Sequence, residues 1–61
     1  MTFTESQIQE LQHLKNWFPY RIVFGVIDAG TGEFNAYAKT TMHTANRLAR
    51  QGNFVAILNN N

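Results

Sequence analysis

Apolar side chains recur at Ile8, Leu11, Leu14 and Phe18, with Gln, Glu and His between them. That spacing of three and four residues is the period of a helix with one apolar face. Thr4 suits the N-cap, Gln7 three residues on completes a capping box, and Pro19 forbids continuation. The pattern predicts a helix over residues 4–17. The period then changes: "YRIVFGVID" is rich in β-branched and aromatic residues and reads as a strand over 20–28. Tyr20, Ile22, Phe24 and Val26 line one side of it, and Arg21, Val23, Gly25 and Ile27 the other. Apolar groups on both sides predict a central strand. "EFNAYAKT" alternates more cleanly, with Phe34, Ala36 and Ala38 inward and Glu33, Asn35, Tyr37 and Lys39 outward, which predicts a strand over 33–39 with one wet side. Met42, Ala45, Leu48 and Ala49 restore a helical stripe over 41–51, with Thr40 or Thr41 as cap and Gly52 as stop. "NFVAIL" supplies a last strand over 53–58, and residues 59–61 form a polar tail expected to fray.

The order α-β-β-α-β predicts a single small α+β domain. The first two strands form a hairpin, and the second helix returns the chain across the sheet. The third strand then pairs beside the first, giving order 2-1-3 and an antiparallel sheet, or beside the second in a right-handed crossover. The first arrangement is preferred because it puts the most apolar strand in the centre. Both helices are expected on the side bearing Phe24, Phe34, Phe54 and Leu48. That leaves Val23, Ile27, Tyr37, Val55 and Ile57 on a bare back face, which a second copy of the chain or another partner would cover. The alternatives are that these side chains tolerate water, or that one helix lies on each face.

Size limits what such a chain can do. A domain of this length buries only about 60% of the surface its unfolded form exposes, so a large catalytic cleft is not expected. The 61 residues include no cysteine, which excludes disulfides and thiolate chemistry and fits a reducing cytoplasm. No long apolar run or signal-peptide pattern is present, so neither a membrane span nor export is expected. The formal net charge is +1, too small for a strong overall field. Its distribution matters more: all four acids lie within the first 33 residues, and the rest is mildly basic.

Candidate chemistry is sparse. Asp28, Gly30, Thr31 and Gly32 follow a strand and resemble the first phosphate loop of the actin-like ATPase and sugar-kinase superfamily. Those enzymes close two large lobes on the nucleotide, and a second phosphate loop is missing here. A hairpin turn accounts for the same residues, because Asp and Gly supply the backbone freedom and the return hydrogen bonds that a turn requires. His13 and His43 show no metal-ligand spacing, and Ser6, the sole serine, lacks a nucleophile elbow. No catalytic residue, metal or cofactor is expected.

Two surfaces remain. Lys39, His43, Asn46, Arg47 and Arg50 make a basic patch on the second helix and the neighbouring strand end, while Trp17, Phe18 and Tyr20 crowd the helix-to-strand corner, with Tyr37 on the open sheet face. The stretch "YAKTTMHTANRLARQGNFVAIL" resembles small phage-encoded sheet-plus-helix proteins, among them the host RNA polymerase inhibitors of T7-like phages and some anti-CRISPR proteins. The resemblance spans roughly residues 33–58. It implies a non-enzymatic cytoplasmic inhibitor that sterically occupies a host protein or ribonucleoprotein complex. Inhibitors that mimic nucleic acid are strongly acidic, and this chain is not. The alternative is a nucleic-acid-binding module that uses the basic helix face, with the two arginines otherwise simply favouring the helix C-terminal dipole.

Overall fold

The computed structural model describes residues 2–58. It contains helix α1 (Glu5–Trp17), strands β1 (Ile22–Ile27) and β2 (Phe34–Lys39), helix α2 (His43–Arg50) and strand β3 (Phe54–Ile57). The strands form one antiparallel sheet in the order β2-β1-β3. The polar tail at residues 59–61 lies outside the described residues.

Local signals explain where the elements start and stop. The Thr4 hydroxyl accepts from the Gln7 amide at 3.2 Å, and the Gln7 side-chain oxygen accepts from the Thr4 amide at 2.9 Å, so the capping box is fully formed. The Phe18 amide donates to the Leu14 carbonyl as α1 ends before Pro19. β1 begins two residues later than expected, because Tyr20 and Arg21 belong to the turn, where the Arg21 amide donates to the Phe18 carbonyl. α2 is also shorter than the expected 41–51. Its N-cap is Met42, which makes no side-chain capping bond, and the Thr41 hydroxyl accepts only from the His43 amide at 3.4 Å. Its stop is Gly52, at φ +97°, a backbone conformation that favours glycine.

The layers differ from the expected arrangement of both helices on one side. The register places Phe24 opposite Tyr37 and Ile27 opposite Phe34, so Phe24 and Phe34 lie on opposite faces of the sheet. Each face carries one helix. On one side Ala45 and Leu48 of α2, with Met42 at its N-cap, pack with Phe24, Val26 and Val55. On the other, α1 lies over β1 and β2 and buries Leu11, with Val23 and Ile27 also buried. Val23 and Ile27 are buried under α1, whereas Tyr37, Val55 and Ile57 fall on the Phe24 face, where Ile57 is 46% exposed, so the five residues expected on one bare back face are divided between the two layers. Tyr37, expected outward, is half-buried and stacks on Phe24 with ring centroids 5.2 Å apart.

The α1 side has an aromatic lid whose first member precedes the helix. Phe3 meets Phe34 and Phe54 edge to face, at centroid separations of 5.6 and 5.3 Å. These rings fill the space over Gly25, where an added Cβ would sit 2.8 Å from Phe3 and 2.9 Å from Phe34. At the far end of the sheet Asn53 joins two loops: its Oδ1 accepts from the Ala29 amide and its Nδ2 donates to the Leu48 carbonyl.

Candidate binding surface

The loop that resembles a phosphate site is a hairpin turn that satisfies itself. Asp28 Oδ1 accepts from the amides of Gly30 at 2.8 Å and Thr31 at 2.9 Å, and the Gly32 amide, at φ +76°, returns to the Asp28 carbonyl. These backbone bonds from Thr31 and Gly30 hold the Asp28 carboxyl below its ordinary value. The amides that would cradle an anion already hold the loop's own carboxylate. No group of three or more His, Asp or Glu side chains converges among the described residues. Among the described residues no helix is long and apolar enough to cross a membrane.

The two expected surfaces are both exposed, and the topology sets their relation. Trp17, Phe18 and Tyr20 are 74%, 41% and 98% exposed at the turn joining α1 to β1. Arg21 stacks its guanidinium over the Phe18 ring, 5.3 Å from the centroid, and the Lys15 ammonium donates to the Arg21 carbonyl at 2.8 Å. The corner is therefore braced as well as exposed. Ile22, the first residue of β1, pairs with Lys39, the last of β2, so Lys39 shares this end of the sheet. Its ammonium lies 5.9 Å from the Tyr37 ring centroid.

His43, Asn46, Arg47 and Arg50 are all exposed, and their spacing of three and four puts them on one side of α2. His43 starts the helix at the Lys39 end, whereas Arg50 finishes it near the turn that Asn53 ties to the hairpin loop. The patch is thus a row along α2, with only its beginning beside the aromatic corner. Tyr37 is the one expected contact residue that the structure turns into the α2 layer.

Sequence reasoning missed a third surface. An open groove of about 540 Å³ runs along α1 beside β2, lined by Ser6, Glu10, His13, Leu14 and Trp17 with Ala36 as its floor. Its signals were the polar stripe on α1 and the small side chains at Ala36 and Ala38 of an edge strand. No protein family, curated protein or solved structure matches this chain. What fold and surface define is a small α+β domain with a helix on each sheet face, a braced aromatic corner and a basic row.

Proposed function

We propose that the chain is a non-enzymatic binding protein that acts by occupying a surface of a larger protein or ribonucleoprotein complex. The observation that carries this reading is the corner at Trp17, Phe18 and Tyr20. Aromatic side chains are the commonest anchors of protein interfaces, and three of them stand exposed on a turn that Arg21 and Lys15 stiffen. Such preorganisation lowers the entropic cost of docking. The likeness of residues 33–58 to small phage-encoded inhibitors supports steric blocking as the mode of action, with defence or transcription machinery as the target class.

The test is a tagged pull-down from bacterial lysate with and without nuclease, comparing the native chain with Tyr20→Ala and with Arg47→Ala/Arg50→Ala. Tyr20 makes no core contact, so its variant should keep the native melting temperature and lose a nuclease-resistant protein partner. Retention of that partner by Tyr20→Ala would remove the corner from the mechanism. The second reading, nucleic-acid binding, is favoured by the basic row on α2. It requires capture that disappears with nuclease, and affinity that falls steeply as salt rises.

A further inference from the structure

We propose that two copies of the chain pair through the outer edge of β2 into one continuous antiparallel sheet, with the two α1 helices packed against each other over the seam. β2 is an edge strand, hydrogen-bonded to β1 on one side only. The Asp28 amide donates to the Glu33 carbonyl and the Leu58 amide to the Val23 carbonyl. In an antiparallel ladder these bonds alternate. Glu33, Asn35, Tyr37 and Lys39 therefore direct their backbone groups at β1, and Phe34, Ala36 and Ala38 direct theirs outward. A strand that pairs with itself must match outward residues with outward residues. The register centred on Ala36 does so over the whole strand: Ala36 meets the partner's Ala36, and Phe34 meets the partner's Ala38.

That register also brings opposite charges together. Glu33 falls opposite the partner's Lys39, and by symmetry the same pair forms at the other end of the seam. Edge strands usually escape self-pairing through charges, prolines or bulges that make it unfavourable. β2 has no proline between Phe34 and Lys39, and the charges at its two ends, Glu33 and Lys39, complement each other across the two-fold axis.

The α1 groove fits the same axis. The two-fold runs perpendicular to the sheet beside Ala36, the floor of the groove, so both α1 helices lie on one side of the joined sheet. Strands are spaced about 4.8 Å apart and α1 lies over β1 and β2, which sets the two helix axes roughly 10 Å apart, close to ordinary helix packing. The exposed stripe of α1 is symmetric about its midpoint. Glu10 falls opposite the partner's His13, and Gln9 opposite the partner's Leu14. The small side chain of Ala36 leaves room for this approach.

Sedimentation equilibrium and amide hydrogen exchange test the proposal. The native chain is expected to show a concentration-dependent monomer–dimer equilibrium. On dimerisation the amides of Phe34, Ala36 and Ala38 gain protection, while those of Asn35, Tyr37 and Lys39 are protected at every concentration. Lys39→Glu turns two attractive pairs into two repulsive ones and should raise the dissociation constant tenfold or more. The double swap Glu33→Lys/Lys39→Glu should return it to within about threefold of the native value. A chain that stays monomeric at all accessible concentrations overturns the proposal. So does a dimer whose affinity is the same in all three chains, or one that leaves the three outward amides unprotected.

Discussion

Gly25→Ala adds a single methyl group in the middle of β1, and the structure fixes what it meets. The new Cβ lies 2.8 Å from the Phe3 ring and 2.9 Å from the Phe34 ring. Carbon atoms in good contact sit about 3.5–4.0 Å apart, so the rings would have to retreat by roughly 0.6–1.2 Å. The two rings also pack edge to face on one another, so neither can move without disturbing that contact. Overpacking of this kind costs about 1–3 kcal/mol, against which replacing glycine inside a strand returns about 0.5–1 kcal/mol. The net expectation is a loss of about 0–2.5 kcal/mol, centred near 1 kcal/mol, against the roughly 3–9 kcal/mol that a domain of this size has in total. Thermal unfolding followed by circular dichroism should show the midpoint falling by roughly 4–8 °C for a loss of about 1 kcal/mol. The deciding measurement is the same substitution in a Phe3→Ala background. With one ring gone, Phe34 can move into its place and the added methyl should be neutral or stabilising. An equal penalty in both backgrounds would refute the steric account, as would a Gly25→Ala chain more stable than the native one.

Thr4→Ala removes the hydroxyl that accepts from Gln7, and should lower stability by about 1 kcal/mol in urea unfolding. Asp28→Asn should matter at neutral pH and progressively less in acid. The folded-state pKa of Asp28 is depressed, so its contribution is complete above the unfolded value, near 3.9, and is lost as pH falls through the lower folded value. Unfolding midpoints of the two chains should therefore converge as pH drops below about 4, and a constant gap down to the acid limit would contradict this. Asn53→Ala breaks the bonds to Ala29 and Leu48, and should cost about 1–2 kcal/mol while the Ala29 amide exchanges faster with solvent.

Element order, strand order and the self-satisfied hairpin were legible because each rests on a local signal. Thr4 with Gln7 marks a helix start, Gly52 marks a stop, and Asp28 to Gly32 marks a turn. The assignment of faces was not legible, for a physical reason. β1 is apolar on both sides, so alternation within it does not say which residues share a layer with Phe34. A shift of one residue in pairing exchanges the two sides of the hairpin completely. The hairpin loop, closed where the Asp28 amide donates to the Glu33 carbonyl, sets the register that resolves this. Phe3 escaped notice because it stands before a strong N-cap, where periodicity has nothing to report. Of the candidate contact residues, those on α2 and at the corner are exposed as the sequence suggests. Tyr37 is not, because its alternation was read without its partner Phe24.

The aromatic lid over Gly25 also constrains how the protein is made. Its three rings come from positions 3, 34 and 54, and β1 receives its second neighbour only from Phe54–Ile57. During synthesis the first helix and the hairpin emerge early, but Phe3 has only part of its seat and one edge of the central strand stays open until the last strand appears. A nascent chain halted after α2 would therefore display Val23, Ile27 and Phe34 without a complete cover. Closure of this lid is therefore a long-range step, because its three rings come from the start, the middle and the end of the described residues.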